Sequence, residues 1–412
     1  MLINNIHVSK SKNLIHLSAN IKFKNQKADR MYFSTSSINA SLISYDYSPF
    51  LASVLLPCMK KGEDIVIDGT VSKKLLVNIE KIMDLVTSWG VGFKHINIQS
   101  GITNHAYLKN KRTSAAFFSA GVDSFYTYLK HKKTNSKIQN LILIHGFDIP
   151  LENKNLFTKT KKIVESIALE EKIKAISVTT NAGEIVEKVL IWDLSHGGVL
   201  AAVGLFLGKG IGRVYIPGGL KKSELFPYGT YPELDKLWST EKTQFLHDGT
   251  EYNRLGKIMH VVSKSDLALK HLRVCTQNIK GNYNCSRCYK CLITMIGLVC
   301  SNSLQSAKTF KKLDLNNVKN MYYDYRLKYN LQGEANLEIL KKENREHELQ
   351  EAIKYSLENS KKQKIHKKLF EVIASFDQKY NERRLYRFVF KMNKKQDRNL
   401  IFKTLGKIGA LK

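Results

Sequence analysis

The stretch Phe117-Phe118-Ser119-Ala120-Gly121-Val122-Asp123-Ser124-Phe125 constrains the fold more than any other part of the chain. The apolar run Ala115 to Phe118 has the character of a buried strand. It gives way to small, hydroxyl-bearing residues suited to a tight turn, and then to a helical pattern running from Ser124 to His131. A strand that enters a helix through so short a turn leaves loop amides and first-turn N–H groups pointing at one spot. The helix dipole makes that spot attractive to an anion. Asp123 adds a carboxylate, which a phosphate site tolerates only if it holds a metal or a donor. The stretch is therefore expected to cradle a polyphosphate. It is not a Walker A loop, because no Gly-Lys-Ser/Thr follows. The alternative is an ordinary strand-to-helix turn.

The same change of period recurs downstream. Strands are predicted at 114–118, 140–146, 174–179 and 212–217, and helices at 123–132, 154–170 and 196–208. Repeated βα units predict an α/β fold built on a doubly wound, mainly parallel sheet. Such sheets bind ligands at the carboxyl ends of their strands. Ser119–Ser124, His145-Gly146-Phe147-Asp148 and Pro217-Gly218-Gly219 all fall there. Residues 1–110 read as a separate N-terminal α+β lobe. It has an alternating strand (Ile15, Leu17, Ala19, Ile21, Phe23), a short strand and turn at Asp64–Gly69, a helix capped by Ser72, and a strand at His95–Ile98. Residues 221–274 are expected to form a long loop or short helices over the site. Residues 304–412 are expected to form a helical, basic C-terminal region.

Four of the six cysteines cluster as Cys275, Cys285, Cys288 and Cys291, a C-x9-C-x2-C-x2-C pattern. Four thiolates at these intervals suit a tetrahedral Zn2+ in a closed structural site. Arg287 and Lys290 would offset its negative charge. An iron–sulfur cluster or no metal at all are the alternatives, although the ferredoxin run would need a further Cys and Pro where Leu292-Ile293-Thr294-Met295 stands. Cys58 and Cys300 read as buried apolar residues.

The loop resembles the Ser-Gly-Gly-x-Asp-Ser signature of the PP-loop ATP pyrophosphatases, matched at Ser119, Gly121, Asp123 and Ser124, with Ala120 in place of a Gly. If that position needs a positive φ, Ala costs about 1–2 kcal/mol there. With the cysteine knuckle downstream, 112–300 resembles the 7-cyano-7-deazaguanine synthase family, whose Cys-Gly-x-Cys-x-x-Cys core is matched with Ser286 in place of Gly. The length beyond that stretch looks more like the synthase-like proteins of bacterial defence or modification clusters. The resemblance implies a PP-loop fold over 111–303, carrying the zinc knuckle. It also implies ATP and Mg2+ as cofactors and adenylation of a carboxylate or amide with release of pyrophosphate and AMP. Asp123 and Ser124 would then be the catalytic pair. Ser119, Ala120, Gly121, Val122, His145, Gly146, Phe147, Asp148, His196 and Lys221 would contact the nucleotide, and Asp123→Ala would abolish turnover with the fold intact. Asp235, Trp238, Ser239 and Glu241 are candidates for lining the acceptor pocket, and the alternative for His196 is a satisfied residue near a helix start.

Net charge is +30, from 66 Lys and Arg against 36 Asp and Glu, which favours acidic partners unless it only mirrors a Lys-rich proteome. Residues 361–412 hold 16 Lys and Arg against 4 Asp and Glu, interleaved with aromatics such as Phe370, Tyr380 and Phe390. They read first as the apolar face of a packed helix and second as a surface for nucleic acid or a partner protein. The longest apolar stretch, Gly197 to Gly208, is too short to span a bilayer, and the first residues lack a signal-peptide pattern. We therefore expect a cytoplasmic protein with no membrane partner and an oligomeric state left open, a homodimer being the candidate assembly. Its first function would be ATP-dependent ligation onto a small-molecule or protein acceptor. The alternatives are a non-catalytic, nucleotide-dependent nucleic-acid or partner-binding protein and a tRNA-modifying PP-loop enzyme.

Overall fold

The structure, a computed structural model, describes residues 1–103, 112–132, 134–278, 282–323 and 330–362. In chain order these form β1 (Leu2–Lys10), β2 (Leu14–Lys22), β3 (Asp29–Ser36), α1 (Ser48–Lys61), β4 (Ile65–Ser72), α2 (Lys73–Ser88) and β5 (Ile98–Thr103). There follow β6 (Thr113–Phe117), α3 (Val122–His131), β7 (Asn140–His145), α4 (Lys154–Glu170), β8 (Lys174–Thr180), α5 (Ala182–Val186), α6 (Trp192–Phe206) and β9 (Ile211–Pro217). Next come α7 (Pro232–Leu237), β10 (Gln244–Asp248), α8 (Arg254–His260) and α9 (Asp266–His271). The last are α10 (Tyr289–Cys300), α11 (Leu315–Lys319), α12 (Asn330–Lys342) and α13 (His347–Lys362). Among the described residues no helix is long and apolar enough to cross a membrane. The basic, aromatic segment expected to pack or to dock a partner lies almost wholly outside the described residues.

The ten strands form one sheet in the order β10-β9-β6-β7-β8-β3-β2-β1-β4-β5. Six of its nine pairings are parallel, and the three antiparallel ones all involve β1, β2 or β3. The expected N-terminal lobe is thus an extension of the parallel sheet, joined where Phe33, Ser34 and Thr35 of β3 pair with Thr180, Thr179 and Val178 of β8. The division at residue 110 runs along one sheet. Contacts instead separate one compact unit, Met1–Val274 with Ser301–Thr309, from a second that holds Cys275–Cys300 and the described chain from Phe310 on. The strand expected at His95–Ile98 begins only at Ile98. β10, inside the segment expected to be loop or short helices, forms the other edge of the sheet.

Both faces of the parallel half are covered, which explains its continuous apolar strands. β6 turns Ala115 and Phe117 into the core that includes α1 and α6. Phe118, just after it, packs edge-on against Phe125 and Tyr128 of α3, with ring centroids 5.0 and 6.2 Å away. Phe33 of β3 meets Phe50 of α1 at 5.5 Å and Phe206 of α6 at 5.7 Å, so the two helices bind the halves of the sheet together. α2 starts where the sequence places it, with Ser72 Oγ accepting from Leu75 N at 3.0 Å.

Strand order reverses at β6: β7 and β8 extend the sheet on one side, β9 and β10 on the other. That reversal is the topological switch point, where a crevice opens beyond the strand ends. The loop of residues 118–121 and the Gly218-Gly219 turn border it. α1 and α6 approach so closely that a Cβ on Gly198 would stand 2.5 Å from Ala52 O. Gly198→Ala should therefore cost about 1–3 kcal/mol by forcing the helices apart, measurable as a lowered urea midpoint with an unchanged slope.

Candidate functional site

The turn after β6 takes the expected form. Phe118 N donates to Ile142 O at 2.8 Å, and Ala120 O accepts from Arg273 N at 2.7 Å. Ala120 lies at φ 59°, the left-handed region in which its Cβ is strained. Gly121 caps α3 with no side chain of its own, so the first turn of the helix is closed only by backbone, through Phe125 N to Gly121 O at 2.9 Å. Ser124 Oγ donates to the same carbonyl at 3.0 Å. The hydroxyl proposed as catalytic is therefore tied to its own turn.

Asp123 opens toward the switch point, where it meets two cations absent from the sequence reading. Lys257 Nζ donates to Asp123 Oδ1 at 2.9 Å and also to Gly218 O; Arg254 Nη2 donates to Asp123 Oδ2 at 3.1 Å. Lys257 has no exposed surface, and its ammonium stands 5.5 Å from the centre of the Tyr126 ring. Arg254 Nη1 is buried and finds no acceptor among the described residues. Asn253 starts this helix by accepting Gly256 N at 3.0 Å, which sets Arg254 and Lys257 three residues apart on one face. With both oxygens held by cations, Asp123 does not fit a direct Mg2+ ligand. Asp123→Ala would leave the buried Lys257 ammonium with Gly218 O as its acceptor but without a countercharge, so a loss of stability beside the expected loss of turnover would read out this pairing.

A second charged group lies beside the first. Asp248 Oδ1 accepts from Lys130 Nζ at 2.8 Å and lies 3.1 Å from His131 Nε2, and Lys130 also meets Glu251. Although burial opposes ionisation, His131 and Lys130 hold the Asp248 carboxyl down at about 2.

The remaining expected contacts are mostly structural in character. His145 is buried, stacked on Phe157 at 4.0 Å, with Nε2 3.2 Å from Pro150 O; burial lowers its pKa. Gly146, at φ 105°, permits a close approach to Thr180 O. Phe147 meets Trp192 edge-on at 5.0 Å, and Asp148 is exposed. His196 Nδ1 lies 2.8 Å from Trp192 O and Nε2 3.4 Å from Thr230 Oγ1, so its nitrogens are satisfied, and burial lowers its pKa. Lys221 is exposed on the loop after β9. The residues weighed for the acceptor pocket are taken up internally. Asp235 Oδ2 pairs with His247 Nδ1 at 2.7 Å, and Trp238 is fully buried. Ser239 Oγ accepts Phe245 N, and Glu241 accepts Ser72 Oγ and Lys74 N at the start of α2.

In the second unit the ligand atoms of Cys275, Cys285, Cys288 and Cys291 all lie within 4.8 Å of one another, and all four residues are buried. Cys285 Sγ and Cys291 Sγ are 3.9 Å apart, near the roughly 3.8 Å edge of a tetrahedron with Zn–S bonds of about 2.3 Å. Cys288 N donates to Cys285 Sγ at 3.3 Å, as in a knuckle turn. Ser286 within that turn stands at φ 57° and accepts Lys311 N at 2.9 Å. Hydrogen bonds from Cys285, Cys288 and Cys291 draw the Cys275 thiol down, while the same crowding pushes Cys291 up. Four buried sulfur donors clustered at this spacing suit a divalent cation, and these residues could hold zinc. Cys58 and Cys300 are buried, and burial raises both thiols, Cys300 to about 12.

Metal analysis of the purified chain should find a single zinc, lost in Cys288→Ser; iron with visible charge-transfer bands would contradict this. Asp248 predicts an acid limb in stability. Its depressed pKa contributes about 2 kcal/mol that is present above pH about 4 and lost as pH falls toward about 2. Urea titrations should show that limb flattened in Asp248→Asn. No protein-family model, curated protein or solved structure matches the chain.

Proposed function

We propose that this chain is an ATP-dependent adenylating enzyme of the PP-loop pyrophosphatase type. The observation that carries this reading is the start of α3 at the switch point. There a helix N-terminus capped only by backbone, Lys257 and Arg254 face a single carboxylate, Asp123. Two cations and a positive dipole end against one negative charge favour an anion with several charges. The orphaned Arg254 Nη1 supports the same ligand, since a phosphate oxygen would satisfy it.

The chemistry this arrangement suits is nucleotidyl transfer. An acceptor carboxylate or amide oxygen attacks the α-phosphorus of ATP, and the bond from that phosphorus to the bridging oxygen of pyrophosphate breaks. Pyrophosphate leaves with the electron pair, and ammonia or another nucleophile then displaces AMP. Arg254 and Lys257 would meet the charge that builds on the leaving pyrophosphate, with the amides around Gly121 holding its oxygens. Mg2+ would reach the site on the phosphates, since the Asp123 oxygens already bind cations. The segment from His145 to Asp148 lies at the neighbouring strand end, on the side where the base and ribose would rest. A zinc held by the four cysteines would fix the start of α10, a structural part.

Incubation with ATP, Mg2+ and candidate carboxylates should yield pyrophosphate and AMP; ADP and phosphate as the only products would contradict the reading. Arg254→Gln should slow pyrophosphate release about 100-fold with little change in melting temperature, because Lys257 still answers Asp123. Binding of ATP without turnover would favour the nucleotide-dependent binding protein.

A further inference from the structure

The sheet of the first unit has a second notable surface, remote in sequence from the Asp123 loop. In β2 the odd residues Ile15, Leu17, Ala19 and Ile21 enter the core, so the even residues face the other way. Register then places the neighbours on that face. Ser9 stands beside His16, His7 beside Ser18, Arg30 beside Asn20 and Tyr32 beside Ser18. His7, Ser9, Lys22 and Arg30 are exposed, and His16, Asn20 and Tyr32 half-buried. The rings of His16 and Tyr32 stack, 4.8 Å apart and 22° from parallel. Arg30 spreads its guanidinium across β2 toward β1, donating from Nε to Ser18 Oγ at 3.1 Å and from Nη1 to Asn20 Oδ1 and Asn5 O at 2.9 and 2.8 Å.

Lys22 and Arg30 lie on this face, Lys12, Lys24 and Lys27 sit in the turns at its ends, and Lys10, opposite core-facing Ile15, belongs to the other face; Asp29, the one acid of residues 1–45, already meets Lys188 at 2.6 Å. Asp68 follows the β4 residue paired with Ile3, Glu184 lies close to Tyr32, and Glu63 accepts Lys24 N and meets the Met1 ammonium, so acids border the patch as well. Burial first, then Arg30 and His7, lower the pKa of His16. An aromatic pair on an open sheet, rimmed by Lys and Arg and interspersed with amides and hydroxyls, has the physical make-up of a base-stacking platform. The rings take base faces, the cations take phosphates, and Asn20, Ser9 and their neighbours offer partners for base edges and 2′-hydroxyls.

The geometry points to the exposed face of β1–β3 as a docking surface for single-stranded RNA, independent of the nucleotide reading at Asp123. The experiment is fluorescence anisotropy of a labelled oligouridylate about ten nucleotides long with the full chain, titrated with salt. We expect binding that weakens as salt rises. His16→Ala with Tyr32→Ala should weaken it about fivefold or more. Lys22→Glu, a change on an exposed side chain that leaves the melting temperature unaltered, should weaken it severalfold and reduce the salt slope by about one. Three outcomes would overturn the proposal: no binding, binding unchanged in both variants (the mark of a different basic surface such as 361–412), or equal competition by duplex RNA or polyglutamate.

Discussion

A lysine with no exposed surface must be answered by negative charge, or its burial costs several kcal/mol. Lys257 is such a residue, and the carboxyl end of the parallel sheet is arranged around it. Asp123 supplies the charge from the first turn of α3, Gly218 O supplies a second acceptor from the end of β9, and Tyr126 presents its ring. One ammonium thus ties together α3, α8 and the loop after β9, the three pieces that frame the switch point. Arg254, on the same face of α8, adds a second cation with one donor left over. A carboxylate at a helix N-terminus is ordinarily enough for stability. The two cations on the Asp123 carboxylate have a use if a larger anion arrives.

Of the positive-φ positions that carry side chains, two fall in the turns that resemble known motifs. Ala120 and Ser286 stand at φ 59° and 57°, and strain of this kind costs on the order of 1–2 kcal/mol at each. Neither is left to relax. Arg273 N pins the Ala120 carbonyl, and the Ser286 hydroxyl accepts Lys311 N. The neighbouring contacts hold both turns in shape, so the two departures from the resembled motifs are compatible with their geometry.

The sequence announces those parts of the fold whose signal is local. The period change at residues 115–131 marks β6, its turn and α3, and the cysteine spacing brings four thiols together. What it hides depends on distant partners. β10, Gln244–Asp248, is short and mixed in polarity, and it reads as a strand only because β9 offers it a parallel edge. β1 and β3 are obscured by polar residues on their open face, where alternation is broken by the irregularity between Asn4 and His7. Lys257 lies 134 residues from Asp123, and no motif links them. The only local sign was a helix start at Asn253 that puts Arg254 and Lys257 on one face. The aromatic and acidic residues of 231–241 suggested a pocket by composition, yet Trp238 fills the core and Glu241 holds the start of α2.

If the cations at the start of α3 form a polyphosphate site, they should hold a polyphosphate without any metal. Isothermal titration of inorganic tripolyphosphate into the full chain, without divalent metal, should then show saturable binding that weakens with salt and is lost in Arg254→Gln while the fold persists. Absence of binding, or binding that Arg254→Gln leaves unchanged, would contradict this reading.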